Sequence, residues 1–286
     1  MVNDAAAIAK EDRLRAWFRE RGAVAIGYSG GVDSAYLAAV ALSELGTDRV
    51  LAIIGRSASY PESQWTAARE VAADIGLPVL EVATDELEDP RYAANPSNRC
   101  YFCKSELWSK LVPIAAERGM ETVIDGTNAD DLTGHRPGAA AARELGVVSP
   151  LAIFEFSKDE IRRRSRALGL PTSDQPSSPC LSSRIPYGTP VTVGRLRRVE
   201  QAEAALRALG VLGDLRVRHF GDLAKVELTP SEIARWASLD AREKIEAAVT
   251  AAGYERAEID PRGYRSGGMI ELARRAHDNG AALSGD

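Results

Sequence analysis

Several things are scarce in this 286-residue sequence, and each shortage removes a class of protein. No apolar run approaches the roughly 20 residues that span a bilayer. Asp4, Glu11 and Asp12 come before any apolar stretch, which argues against a secretory signal. The expectation is a cytoplasmic protein with no membrane partner. Positive charge is not in excess: the formal net charge is −5, so composition gives no push toward nucleic acid, and none is expected as a partner. Cysteine is rare, with three in the chain, and an odd set does not make a disulfide framework. Two of them form a C-x-x-C, which in a chain of this kind suggests metal or redox chemistry. Low-complexity tracts and internal repeats are missing too. With 45% hydrophobic and 27% charged residues, the chain has an ordinary globular mixture.

What is present is alternation. Leu14, Trp17 and Phe18 follow helical spacing in an opening amphipathic helix. Strands are expected at Ala23–Tyr28, Val50–Ile54, Pro78–Val82 and Thr122–Asp125. Helices are expected over Ser34–Leu45, from Pro61 to about Ile75, and from near Cys100. Ser157 to Glu160 reads as a capping box that opens another helix. The order implies an α/β fold, a doubly wound parallel sheet whose ligands sit beyond the carboxyl ends of the strands. After Leu170 the pattern changes. Pro171–Pro190 is rich in Pro and Ser and reads as a functional loop or linker. Beyond it come a helix over Leu196–Leu209, strands at Leu215–His219 and Ala224–Leu228, and helices over Ser231–Leu239 and Ala241–Ala252. Two domains are expected: residues 1–172, and a smaller α+β domain over residues 173–286.

The strongest local signal is Ser29-Gly30-Gly31-Val32-Asp33-Ser34, between a buried strand and a helix. Gly30 and Gly31 let backbone approach an oxyanion, and the positive end of the following helix attracts phosphate. Ser29 and Ser34 add hydroxyl donors. Asp33 would repel bare phosphate, but makes sense as a ligand of Mg²⁺ bridging phosphate oxygens. The loop lacks the Gly-Lys-Ser/Thr ending of the Walker type. It resembles the PP-loop of the ATP pyrophosphatases, which split ATP into AMP and pyrophosphate and place AMP on a carboxylate or carbonyl oxygen. Gly126-Thr127-Asn128-Ala129-Asp130-Asp131 follows a strand at the same sheet edge and is expected in the nucleotide site. Either Asp130 or Asp131 is a candidate second Mg²⁺ ligand.

Three further segments point to one branch of these enzymes. They are Asn98-Arg99-Cys100-Tyr101-Phe102-Cys103-Lys104, His135-Arg136-Pro137-Gly138, and Pro179 to Gly188 around Cys180. Together with the loop they resemble the LarE family across nearly the whole chain. These are pyridinium-biscarboxylate mononucleotide sulfurtransferases that help to make the nickel-pincer cofactor of lactate racemase. The resemblance implies adenylation of a substrate carboxylate, release of pyrophosphate, and conversion to a thiocarboxylate. It implies ATP, Mg²⁺ and a nicotinate-derived mononucleotide as ligands, a homo-oligomer, and transient contact with other enzymes of the pathway. Cys180 matches the family's sulfur donor, and Arg184 beside it is expected to favour the thiolate and a developing oxyanion.

Two sulfur routes follow from the resemblance. In the first, Cys100, Cys103 and Cys180 ligate a 4Fe–4S cluster with one iron open for an extra sulfide. In the second, Cys180 gives up its own sulfur and becomes dehydroalanine. His135 and Arg136 are expected in the nucleotide or substrate site. Arg216 and Arg218 alternate on one strand, face one side, and are the candidate ligands of the substrate phosphate. Arg162–Arg164 and Arg195–Arg198 read as solvated helix charges. The rivals are a tRNA thiolase, an ammonia-using PP-loop synthetase, and a non-catalytic nucleotide sensor.

Overall fold

Four short strands rich in Val, Ile and Leu, β1 (Val24–Gly27), β2 (Val50–Arg56), β3 (Val79–Ala83) and β4 (Thr122–Ile124), pair in the order β3-β2-β1-β4. Every pairing is parallel. Parallel neighbours need long crossovers, and helices provide them. Besides the single turn Pro150–Ile153, the helices in chain order are α1 (Ala5–Arg19), α2 (Val32–Leu45), α3 (Glu62–Asp74), α4 (Arg99–Glu117), α5 (Pro137–Glu144) and α6 (Lys158–Ala167). Side chains alternate across the sheet. Val24, Ile26, Ala52 and Ile54 pack with Leu14, Phe18, Tyr36, Leu37, Val71 and Ile161 on one face. Ala25, Ile53 and Val123 pack with Trp108, Leu111 and Ala115 of α4 on the other. This is the doubly wound parallel sheet that the sequence predicts. A β-carbon at Gly27 would come within 2.2 Å of the Trp108 ring, so glycine there lets α4 lie against the strand.

The computed structural model describes residues 4–133, 137–176 and 178–265. The chain up to Asp89 and Asn98–Ser178 make one compact unit; Pro90–Ser97 and the chain from Pro179 onward make a second. In the second unit β5 (Leu215–Phe220) runs antiparallel to β6 (Leu223–Leu228), and β6 runs parallel to β7 (Arg256–Ile259). Its helices are α7 (Val193–Ala208), α8 (Pro230–Arg235) and α9 (Leu239–Ala251), and its core gathers Leu206, Val217, Val226, Ile245 and Val249. The helix expected over Ser231–Leu239 stops at Arg235, because the Ser238 hydroxyl accepts the Ala241 amide and starts α9. Among the described residues no helix is long and apolar enough to cross a membrane.

One buried charge ties α1, α2 and α6 together. Glu11 on α1 accepts from Arg164 Nε at 2.7 Å, Arg15 Nη2 at 2.8 Å and the Tyr36 hydroxyl at 2.9 Å. Burial pushes its carboxyl up, but the three donors outweigh that and hold it below the ordinary value of 4.5. Its stabilisation is therefore fully present above that value and lost as pH falls through the folded-state value. Glu11→Gln is expected to destabilise the chain by roughly 2–3 kcal/mol, near the low end for a broken buried pair. The low end applies because Arg164 keeps Asp4 as a partner. Urea denaturation at stepped pH checks this: the variant should lose less stability than the parent below about pH 4.5.

Candidate active site

The carboxyl edge of β1 carries the SGGVDS loop. Gly30 has φ +66°, and a β-carbon there would sit 2.3 Å from the β-carbon of Ala68 on α3. Only glycine satisfies both conditions. The Tyr60 hydroxyl and the Gln64 amide donate to the Ser29 carbonyl at 2.9 and 3.3 Å. The Ser34 hydroxyl donates to the Gly31 carbonyl at 3.1 Å and accepts the Ser29 amide at 3.3 Å. These bonds fix the loop before any ligand arrives, with the positive end of α2 behind it.

β4 lies beside β1, so the loop that follows it shares this edge. A β-carbon at Gly126 would fall 3.0 Å from the Ser34 amide nitrogen, so the two loops touch along their backbones. Asp125 accepts the Thr127 amide, the Thr127 hydroxyl and the Ser149 hydroxyl at 3.1, 2.9 and 2.7 Å. Asn128 donates through Nδ2 to Asp33 Oδ1 at 3.3 Å. Asn128 and Asp131 exchange backbone-to-side-chain bonds of 3.3 and 3.2 Å, and Asp130 accepts the Lys158 backbone amide at 2.8 Å. Asp131 thus shapes the loop and Asp130 anchors the start of α6. Asp33 is the carboxylate that both loops address, and its hard oxygens suit Mg²⁺.

Lys158 completes the cluster and was not expected from the sequence. Its ammonium forms an ion pair with Asp33 Oδ2. The Ser157–Glu160 capping box is present as expected, with both reciprocal bonds. It places Lys158 at the first position of α6, the positive end of a helix dipole, where a lysine is electrostatically misplaced. That misplacement was the available signal: Lys158 offers its charge to Asp33.

Cys100 and Cys103 lie one turn apart at the start of α4, Cys100 exposed and Cys103 half-buried. Gly138 packs beside them, since a β-carbon there would meet the Cys100 carbonyl at 3.3 Å and Lys104 Cγ at 2.9 Å. His135 and Arg136 lie outside the described residues. Among the described residues, no three His, Cys, Asp or Glu side chains are gathered as a metal-holding group.

The second unit holds Cys180, half-buried at the start of the turn Leu181–Arg184. Arg184 is 2% exposed, and its guanidinium grips the backbone of that turn. Nη1 donates to the Pro179 carbonyl, to the Cys180 carbonyl at 3.1 Å and to Ser183 Oγ at 3.0 Å. Nε and Nη2 meet the Glu203 carboxylate at 2.9 and 3.0 Å. From the segment Pro90–Ser97, the Tyr92 hydroxyl lies 2.6 Å from Ser182 Oγ. Asn95 Nδ2 donates to the carbonyls of Pro186 and Thr189, both at 2.8 Å. Arg216 and Arg218 share a strand face but are each 5% exposed. Arg218 pairs with Glu227 at 2.8 Å and donates to the Ser183 carbonyl at 3.0 Å. Arg216 lies over the Tyr264 ring, its pKa lowered by burial first and by Arg184 second.

A glycine-bent SGGVDS loop at the carboxyl edge of a parallel sheet, meeting a second loop that carries Asn128, defines an ATP-using enzyme of the PP-loop class. The NAD synthase family model matches residues 9–94. Across more of the chain, it is 44% identical to an uncharacterized protein of Synechocystis sp., covering 90% of this chain and 96% of that protein. It is 32% identical to the pyridinium-3,5-bisthiocarboxylic acid mononucleotide synthase of Lactiplantibacillus plantarum, covering 93% of this chain and 96% of that enzyme. An uncharacterized protein of Methanocaldococcus jannaschii is 29% identical over 76% of this chain and 82% of its own length. The chain belongs to the LarE family.

Two substitutions test the nucleotide site. Asp33→Ala is expected to abolish substrate-dependent pyrophosphate release. Lys158→Met is expected to slow it by on the order of 100-fold, as for loss of one electrostatic contact to a transferring phosphoryl group. A coupled pyrophosphate assay reads both.

Proposed function

We propose that this chain is an ATP-dependent sulfurtransferase that adenylates a carboxylate of pyridinium-3,5-biscarboxylic acid mononucleotide and converts it to a thiocarboxylate. The substrate class is supported by the similarity to the pyridinium-3,5-bisthiocarboxylic acid mononucleotide synthase of Lactiplantibacillus plantarum. The observation that carries the sulfur step is the hydrogen bond from Arg184 to the backbone carbonyl of Cys180.

In the first half-reaction the substrate carboxylate oxygen attacks the α-phosphorus of ATP and pyrophosphate leaves. Mg²⁺, when bound, neutralises phosphate charge, and Asp33 would hold it. Ser29, Gly30, Gly31 and Ser34 cradle the pyrophosphate, while Gly126, Thr127 and Asn128 line the same edge and Asp130 and Asp131 keep that loop and α6 in place. Lys158 supplies positive charge to the phosphate.

In the second half-reaction the Cys180 thiolate attacks the acyl carbon, and AMP departs with the C–O electron pair. The resulting thioester links the substrate to Cys180. A base then removes the Cα proton of Cys180, and the Cβ–S bond breaks with its electrons moving to sulfur. The products are a thiocarboxylate and dehydroalanine. Removing that proton places charge on the carbonyl oxygen of Cys180, which is where Arg184 Nη1 donates. Arg184 is thus assigned to the elimination, and its bond to Glu203 sets its angle. Arg216, whose charge is disfavoured by burial and by Arg184, gains most from an incoming anion, so it is assigned with Arg218 to the substrate phosphate. Arg136, two residues before Gly138 in the chain, is assigned to substrate binding.

A second reading keeps Cys180 intact as one of three thiolates, with Cys100 and Cys103, around a 4Fe–4S cluster. The one-turn spacing of Cys100 and Cys103 favours it. The enzyme is proposed to work as a homo-oligomer in the cytoplasm, passing its product to later enzymes of nickel-pincer assembly.

Cys180→Ala should still form AMP and pyrophosphate but no thiocarboxylate. In the parent, mass spectrometry after one turnover should show the Cys180 peptide lighter by hydrogen sulfide. Arg184→Gln should instead accumulate the thioester, seen as a protein–substrate adduct. About four irons per chain with an unchanged Cys180 after turnover would transfer the assignment to the cluster.

A further inference from the structure

We propose that the cleft at the start of α7, within the second unit, binds a phosphate dianion, either inorganic phosphate or a phosphomonoester. It is a different site from the Arg184–Arg216–Arg218 cluster. Side chains alternate along β5, so His219 faces away from Arg216 and Arg218. The proposal does not depend on the sulfur-transfer reading.

The cleft has a volume of about 360 Å³, and Thr192, Gly194, Arg195, Arg198, His219 and Asp222 are among the residues that line it. α7 is 16 residues long, and Thr192 caps it by accepting the Arg195 amide at 3.3 Å. Its first turn therefore presents amides and a positive dipole end to the cleft. Arg195 and Arg198 are one turn apart on the same helix face. The sequence reads them as solvated charges, yet both are half-buried and held in place. Arg195 Nη1 donates to the Pro190 carbonyl at 2.5 Å. Arg198 donates to the Gly221 carbonyl at 3.4 Å and lies over the Tyr254 ring at 5.3 Å. Each guanidinium has five N–H groups, so these contacts leave donors for an anion.

The second observation is His219. It is 2% exposed, and its Nδ1 lies 3.2 Å from the Tyr254 hydroxyl. Its Nε2 has no partner among the described residues. In the tautomer where the Tyr254 hydroxyl donates to Nδ1, the ring proton sits on Nε2. A buried N–H without an acceptor is costly, and native structures rarely keep one without a reason. Burial, then Arg195 and Arg198, lower its pKa to about 4, so at neutral pH it is an uncharged donor. Asp222 opposes an anion and lies 3.9 Å from Arg198. Two guanidiniums and a helix terminus outweigh that one carboxylate. A tetrahedral dianion has enough acceptor oxygens to meet the amides, the two forks and the imidazole at once.

The test uses the full chain, labelled with ¹⁵N and followed by imidazole-ring NMR. The sequence has three histidines, so comparison with His219→Gln assigns the signal. Inorganic phosphate and nicotinic acid mononucleotide are titrated separately, with sodium chloride as the ionic-strength control. The His219 ring signals should shift saturably with at least one of them, at concentrations on the order of millimolar. Arg195→Gln with Arg198→Gln should weaken that binding at least tenfold. A response to inorganic phosphate alone identifies the ligand as the free ion, and a response to the mononucleotide identifies it as a phosphomonoester. No saturable shift with either probe overturns the proposal, and so does unchanged affinity in the double variant. The parent titration stands alone if the variant does not fold.

Discussion

Gly126 has no room for a side chain: a β-carbon there would press on the Ser34 amide nitrogen and on Ser34 Cα, at 3.0 and 3.2 Å. The nucleotide site of the first unit rests on that close approach. β1 and β4 are parallel neighbours, so their following loops must share one edge, but sharing an edge does not bring backbones into contact. The missing side chain does. It seats the start of α2 against the β4 loop, while Gly30 seats the same loop against Ala68 on α3. With α2 held from both sides, Asp33 meets Asn128 and Lys158. A PP-loop must offer amides and a carboxylate to the same polyphosphate without rearranging, and this contact supplies that rigidity.

How much of this could be read in advance depends on whether the signal was local. The strands of the sheet were legible because each is a short apolar run bounded by Gly, Pro or Asp, and the SGGVDS turn because its glycines are adjacent. The Ser157–Glu160 box told where a helix starts, but no local pattern tells which way Lys158 points. Pro90–Ser97 read only as connection. Its role comes from bonds to partners about ninety residues away, such as Asn95 to the Pro186 and Thr189 carbonyls. Asn95 takes φ +57° to make them, a conformation that asparagine tolerates better than most residues. Period-two spacing placed Arg216 and Arg218 on one face, as found. Their burial was not legible, because Glu227 and Glu203, which make it tolerable, come from another strand and from a helix.

The second unit concentrates buried charge in a way that stability alone does not explain. Arg184 and Arg218 pair with Glu203 and Glu227, and Arg216 lies in the field of Arg184, Glu203 and Asp214. Buried pairs of this kind are weak stabilisers compared with apolar packing. At the α7 cleft, on the opposite face of β5, Arg195 and Arg198 meet the carboxylate of Asp222.

Arg184 shows how position changes the work of a charge. A guanidinium near a cysteine is usually read as a means of favouring the thiolate. Here it is bound along one edge by Glu203 and directed through Nη1 at the carbonyls of Pro179 and Cys180. Thiolate formation requires a cation near sulfur. Loss of sulfur by elimination requires a donor at the carbonyl attached to the carbon that loses its proton. The geometry meets the second requirement directly, because the Cys180 carbonyl oxygen is 3.1 Å from Nη1. The donor is already in place in the resting enzyme, so charge arising on that oxygen needs no reorganisation to be stabilised.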